Sequence, residues 1–403
     1  MKNLINTPAR AVLAALSLCA MPVLAAELPA AEPLPFNEPA HAAFETRLRA
    51  ELAPIAASIR DLKVLYLSAD LGPWLDTGLT LKPGERVTTI SAGTVWLSRQ
   101  YRLGLDQPLA AWGRIGASGP VFHGARHTDT FSADRAGPLQ LKTFPTRWLS
   151  RSGRYAPEPP ALNPDGGGGV SVVVIRWREG VDPVQALATL TKGGAAPDWA
   201  AAELARLRAP TPVPSGWTYL WELGAADIFT AVENAEDGGP QRRIDAHTRA
   251  DVAILQTPVD VALKPATRLN WRWKIDQLPA PVSETSAATH DYLSIAVEFD
   301  NGRDLTYFWS RDLAPGTHFH CPLEAWKDRE THVVARSGST ELGQWLAESK
   351  PILDDYARAV GGPPPKRIVR VWLIANSVFQ RREGYGQFGD IVLEDGARRV
   401  AVW

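Results

Sequence analysis

Five residues in the C-terminal half have the types and spacing to hold a sugar: His290, Tyr292, Glu298, Tyr307 and Trp309. They lie on two β-rich runs, Leu293 to Asp300 and Arg303 to Trp309, separated by Asn301-Gly302, the dipeptide that best supplies the two positive φ angles of a type I′ hairpin turn. A two-residue turn sets Asp300 opposite Arg303, Val297 opposite Thr306 and Ile295 opposite Phe308. One face then carries Leu293, Ile295, Val297, Phe299 and Phe308 as core, and the other carries the five candidates with Ser294, Ala296 and Leu305. Flat rings offer apolar contact at low entropy cost and polar neighbours fix orientation, so the expectation is non-catalytic binding of a carbohydrate or polysaccharide. The competing reading is that a second layer covers this face and its rings are core.

Three constellations bear on chemistry proper. His318, His320 and Cys321, with His332 alongside, have a spacing that suits zinc or copper. With no Cys-x-x-Cys and no second ligand pair to frame them, surface histidines and one buried thiol are the better reading, and neither a metal nor a cofactor is expected. The carboxylates Glu298, Glu330, Asp354 and Asp355 are not paired by any local motif across the roughly 5 to 9 Å that a glycosidase needs, and Asp354-Asp355 reads as a solvated helix face. Finally, His290 and Tyr307 beside Glu298, with Arg329 or Arg303 to neutralise a uronate, would suit a lyase.

The whole chain bounds these readings. Its 403 residues, 45% apolar with 15 Trp, provide for more than one core. Lys2 and Arg10, the apolar run Ala11 to Leu18, and Val23-Leu24-Ala25 have the layout of a secretory signal peptide, which predicts a periplasmic or secreted protein. Leu18 before Cys19 argues against lipidation. Removing residues 1–25 takes two of the 43 basic residues and none of the 44 acidic ones, leaving a net charge of about −3, which argues against a nucleic-acid partner. Cys321 then has no partner for an intramolecular disulfide, and no later stretch has the roughly 20 apolar residues of a membrane span.

In chain order, residues 26–62 read as a Pro-rich tether followed by a helix from His41 to Leu62, with Phe44, Leu48, Leu52, Ile55 and Ile59 on one face. Residues 63–180 turn to short strands. Here Trp74-Leu75-Asp76-Thr77-Gly78-Leu79, Lys82-Pro83-Gly84-Glu85-Arg86-Val87-Thr88, Ser91-Ala92-Gly93, Gly113-Arg114-Ile115-Gly116 and Ala133-Asp134-Arg135-Ala136-Gly137-Pro138-Leu139 resemble the PA-I-type galactophilic lectins and their galactose-binding-like relatives. The resemblance implies a β-sandwich. It does not extend to calcium or galactose, because the lectins' ligand loop is replaced by Leu141-Lys142-Thr143-Phe144-Pro145, which has no cluster of oxygen ligands. Tyr155 to Gly169 reads as a Pro/Gly loop and Val170 to Trp177 as a returning strand. Residues 181–212 form a helical connector, with Asp182-Pro183 opening one helix and Asp198 to Leu207 a second before Pro210, Pro212 and Pro214.

Residues 213–403 form the last predicted domain. Leu269-Asn270-Trp271-Arg272-Trp273-Lys274-Ile275-Asp276, His290-Asp291-Tyr292, Tyr307-Phe308-Trp309, Thr331-His332-Val333-Val334, Leu342-Gly343-Gln344-Trp345, Asp355-Tyr356 and Val371-Trp372-Leu373-Ile374-Ala375 resemble the bacterial domain of unknown function 3047. The resemblance implies a jelly-roll-like sandwich and brings no reaction with it. Leu269, Trp271, Trp273 and Ile275 alternate with polar residues as a one-sided strand, Ile368 to Ala375 reads as a buried one, and Thr340 to Ser349 with Ile352 to Val360 reads as a helical hairpin. The expected fold is mainly β: two β-sandwiches, a short helical connector and an N-terminal helix. The expected function is glycan binding by an exported envelope protein, with a polysaccharide lyase or hydrolase, or a structural envelope protein, as alternatives.

Overall fold

The computed structural model describes residues 38–69, 72–106, 108–144, 147–155, 166–192, 196–396 and 398–403. The signal-like segment, most of the tether and residues 156–165 of the Pro/Gly loop lie outside the described residues. The first described element, α1 (Glu38–Leu52), is shorter than its apolar spacing predicts. Pro54 removes a backbone donor, the chain tightens into a 3-10 turn over Ala53–Ser58, and Ile59 already begins a strand. Phe44, Leu48, Leu52, Ile55 and Ile59 are nevertheless all buried together.

Among the described residues, eight strands build the first sandwich: β1 (Ile59–Ser68), β2 (Leu75–Leu81), β3 (Arg86–Ser98), β4 (Leu103–Leu105), β5 (Ala111–Ile115), β6 (Thr128–Ser132), β7 (Gly137–Thr143) and β8 (Gly167–Trp177). One sheet runs β1-β8-β3-β4, with β6 also on β3; the other runs β2-β7-β5. The apolar run at Val170 has a simple cause, since β8 is buried on both sides. Val170, Val172 and Val174 pack with Leu79, Trp112 and Leu141 in the core between the sheets. Val173, Ile175 and Trp177 pack outward against α1, α2 (Pro183–Leu190) and α3 (Asp198–Arg208). Asp182 caps α2 by accepting a hydrogen bond from Val184 N at 3.0 Å.

The second sandwich comprises β9 (Thr218–Tyr219), β10 (Phe229–Val232), β11 (Arg243–Arg249), β12 (Val252–Ala262), β13 (Arg268–Gln277), β14 (Tyr292–Phe299), β15 (Asp304–Ser310), β16 (His318–His320), β17 (Glu330–Ser337), β18 (Leu346–Pro351), α4 (Ile352–Ala359), β19 (Arg367–Asn376), β20 (Glu383–Glu394) and β21 (Arg399–Ala401). A seven-stranded sheet, β16-β17-β15-β14-β19-β12-β9, faces a six-stranded one, β10-β11-β20-β13-β18 with β21 on β20. Trp271 and Trp273 of β13 lie in the core between them, as the alternation predicts. The expected helical hairpin is corrected: Leu346–Pro351 is a strand paired antiparallel with Arg268–Trp273, and only α4 is helical. Edge pairing decides there, because a short polar run gains more from the open side of β13 than from a turn and a half of isolated helix.

The central hairpin is also corrected. Ser294 pairs with Phe308, Ile295 with Tyr307, Val297 with Leu305 and Glu298 with Asp304, one residue out of the expected register. Gly302 has φ 77° while Asn301 stays on the negative side, so the turn is not type I′. Gly302 N donates to Phe299 O (3.0 Å) and Phe299 N to Arg303 O (2.8 Å), the bonds of a three-residue loop with glycine in the left-handed position. A one-residue slip moves every side chain of β15 to the other face. Leu305, Tyr307 and Trp309 therefore join the inner core with Leu293, Ile295, Val297 and Phe299, while Phe308 turns outward with Tyr292 and Ala296.

The outer face of the seven-stranded sheet is covered in turn. Between the parallel strands β15 and β17 the chain makes an excursion, residues 311–329, whose Leu313, Phe319 and Trp326 pack over Phe308, Val334 and Trp372. Residues 220–223 cover the same face beside Ile254. The two sandwiches belong to one compact unit, joined by the Arg126–Asp251 ion pair at 2.7 Å. Among the described residues no helix is long and apolar enough to cross a membrane.

Candidate functional site

Two neighbouring features on this outer face carry polar chemistry. Under the excursion lies a sealed polar cluster. The register of β14, β15 and β17 sets Asp304 against Glu330 and Thr306 against His332, on the same face as Tyr292 and Ser294. His290, just before β14, and Cys321, just after β16, close over them, so that donor atoms of His290, Cys321, Glu330 and His332 all lie within 4.8 Å of one another. All four residues are buried. Glu330 accepts hydrogen bonds from the Tyr292 hydroxyl (3.0 Å) and the Thr306 hydroxyl (3.3 Å) through Oε1, and its Oε2 stands 3.6 Å from His332 Nε2.

The electrostatics follow from burial with few counter-charges. Desolvation, helped by the facing His332, pushes His290 down to about 3, and desolvation drives Asp304, Tyr292 and the Cys321 thiol upward. Burial also works against ionising Glu330, but His332, His290 and the Tyr292 hydroxyl outweigh it and hold this carboxyl below the usual range. Asp304 and Glu330, paired across β15 and β17, are thus pushed in opposite directions.

The second feature is open to solvent. A cleft of about 360 Å³ runs between the two sandwiches, lined by Arg147 and Phe144 on one side and by Glu222, Glu298, Trp326 and Arg329 on the other. The Arg329 guanidinium stands 3.8 Å from Glu222 and 3.8 Å from Glu298, and lies over the rings of Trp326 (5.2 Å) and Trp372 (4.7 Å). Arg370 holds Glu298 from its other oxygen at 2.8 Å. A carboxylate pair around one planar cation, beside a half-buried indole, presents hydrogen-bond acceptors and donors next to an apolar plate.

The five sequence-predicted residues do not share one surface. His290 and Tyr292 belong to the sealed cluster, and Glu298 borders the open cleft. Tyr307 and Trp309 are in the inner core, where Tyr307 donates to Asp355 Oδ2 (2.8 Å) and Trp309 Nε1 to Gly338 O (2.9 Å). The grouping of His290, Tyr307 and Glu298 is therefore taken apart by the register, and Arg329, expected to face a uronate, stands against Glu298 instead. Asp355 is buried by its bonds to Tyr307 and Arg358 rather than solvated. Of the metal candidates, His318 and His320 are exposed and Phe319 is the residue stacked on His332, at 5.2 Å, while Cys321 and His332 do come together. Glu222, Trp326 and Asp304 were not singled out by sequence reasoning. The alternation Glu330-Thr331-His332 is the one local signal, since it sets both ends on one face of a strand.

A single family model matches this part of the chain. Residues 225–392 match the family described as "Protein of unknown function (DUF3047)". No curated protein matches the chain. Among solved structures, an EclA N-terminal domain described as a PllA-like lectin is 17% identical, with 28% of this chain and 95% of that one covered and a TM-score of 0.22. The xyloglucanase domain of NopAA, a type three effector from Sinorhizobium fredii, is 4% identical over 45% of this chain and 96% of its own, with a TM-score of 0.26. An exo-beta-agarase is 10% identical over 47% and 24%, also at 0.26.

Proposed function

We propose that the protein is exported to the cell envelope and binds a neutral polysaccharide, without turning it over, in the cleft at Arg329. The observation that carries the reading is the bracketing of Arg329 by Glu222 and Glu298 next to the Trp326 ring. Hydroxyl groups of a sugar bridge carboxylate and guanidinium well, and an indole face takes the apolar side of the ring. Acidic lining residues, Glu222, Glu298, Glu324 and Asp328, outnumber the basic Arg147 and Arg329, which disfavours a uronate. The charged N-terminus and apolar run ahead of Ala26 support export.

A hydrolase is the second reading, favoured by the meeting of two carboxylates in one cleft. Against it, Glu222 and Glu298 share one guanidinium and Glu298 holds a second, so neither is presented as a free acid to a leaving group. The experiment incubates the full chain with a panel of neutral and uronate polysaccharides, scoring retention, reducing ends and unsaturated products. Retention of a neutral polymer without new ends is expected. New reducing ends would transfer the reading to the hydrolase, and retention of none would end it.

A further inference from the structure

The sealed cluster has the attributes of a metal site, although nothing in the sequence frames one. We propose that His290, Cys321, Glu330 and His332 bind one zinc ion that fastens the 311–329 excursion to the outer face of the seven-stranded sheet. This inference is independent of the polysaccharide reading.

Four features support it. The donors are of the right kind and number: two imidazoles, a thiolate and a carboxylate form a closed four-ligand set of the structural type, and the sulfur selects zinc over magnesium or calcium. Two of the donor separations already match a zinc site, and all four donors lie within 4.8 Å of one another. In a tetrahedral site with zinc bonds of about 2.0–2.3 Å, neighbouring donors sit roughly 3.3–3.8 Å apart. Cys321 Sγ and His290 Nε2 are 3.4 Å apart, and His332 Nε2 and Glu330 Oε2 are 3.6 Å apart.

Third, His332 is fully buried, yet neither ring nitrogen has a hydrogen-bond partner, a state that buried polar groups seldom occupy. An ion at the centre of the four donors supplies a partner for the ring nitrogen facing Glu330. Last, the surrounding residues orient the ligands as outer-shell groups do. His290 Nδ1 is 3.1 Å from the Glu284 carbonyl, which places the proton on Nδ1 and frees Nε2 for the ion. Tyr292 and Thr306 both hold Glu330 Oε1, leaving Oε2 toward His332. The Tyr292, Phe308 and Phe319 rings pack around the His332 imidazole and keep water out.

Charge is balanced as well. Binding expels the Cys321 proton, so a thiolate and the Glu330 carboxylate together neutralise a divalent ion away from water. Because Cys321 belongs to the excursion and His290, Glu330 and His332 to the sheet side, the ion would tie down the segment that carries Trp326 and Arg329.

The test measures metal in the full chain purified without chelators, then titrates the metal-stripped protein with Co²⁺ and Zn²⁺. One zinc per chain is expected, with one equivalent of Co²⁺ producing a thiolate-to-cobalt charge-transfer band that added Zn²⁺ removes. Cys321→Ser should abolish the band while the protein stays folded. His332→Gln should weaken zinc binding by more than the roughly 10- to 100-fold that an outer-shell loss costs. A stripped protein that takes up neither ion would overturn the proposal and leave His332 as the partner of Glu330 alone. So would a charge-transfer band that survives in Cys321→Ser.

Discussion

Trp309 packs against Trp273 across the interior of the second sandwich, with ring centroids 5.6 Å apart. Both rings are fully buried, and Trp309 also donates to Gly338 O. Trp309→Ala should therefore act on stability. Deleting a buried large aromatic costs about 3–5 kcal/mol, which at roughly 2–4 °C per kcal/mol lowers Tm by on the order of 10 °C. A thermal melt checks this, and a Tm unchanged by the substitution would contradict the assigned register.

Gly93 of β3 sits opposite Val170 of β8 with φ +126°, and a Cβ there would meet Gly169 O at 2.3 Å. Backbone cannot step aside as a side chain can, so Gly93→Ala should cost about 3 kcal/mol or more, combining strain and clash. Gly84 provides the control: φ is +85° but nothing lies within 4 Å. Gly84→Ala should lose only the conformational term, about 1 kcal/mol. Paired urea unfolding curves should separate the two, and equal losses would count against the close approach of β3 and β8.

Asp129 sets a pH dependence. Burial raises its carboxyl to about 6, with Arg206 opposing and Glu203 adding to the rise. The folded state then holds a proton that the unfolded state, with a carboxyl near 3.8, has already released. Between these values the folded form binds more protons, so stability falls as pH rises from about 4 to about 6 and levels off above, by on the order of 3 kcal/mol. Asp129→Asn should abolish this slope. The difference in unfolding free energy between wild type and variant, followed from pH 4 to pH 7, is the check; a difference independent of pH would refute it.

How much of this was legible in the sequence depended on whether neighbours along the chain or across the sheet decide. The alternation from Leu269 to Ile275 and the double-sided burial of Val170 to Trp177 are properties of single strands, and both could be read directly. Asp300-Asn301-Gly302 fits a two- or a three-residue loop equally well, and the choice falls to the core, which takes Tyr307 and Trp309 inward. Leu346–Pro351 becomes a strand only because β13 has an open edge. The cleft and the sealed cluster were less visible still. Glu222 reaches Arg329 from the segment between β9 and β10, far upstream, and Cys321 and Trp326 arrive on an excursion whose path is set by the parallel pairing of β15 and β17.

Trp326 decides whether the Arg329 cleft is the binding surface. This ring lines the cleft and is only half-buried, unlike Trp309. Affinity electrophoresis of wild type and Trp326→Ala through gels containing the neutral polysaccharide retained in the panel gives the two dissociation constants side by side, with a thermal melt of each protein as control. Trp326→Ala should weaken retention at least about tenfold, or 1.4 kcal/mol, while Tm falls far less than in Trp309→Ala. Retention equal to wild type in a folded Trp326→Ala protein would contradict it.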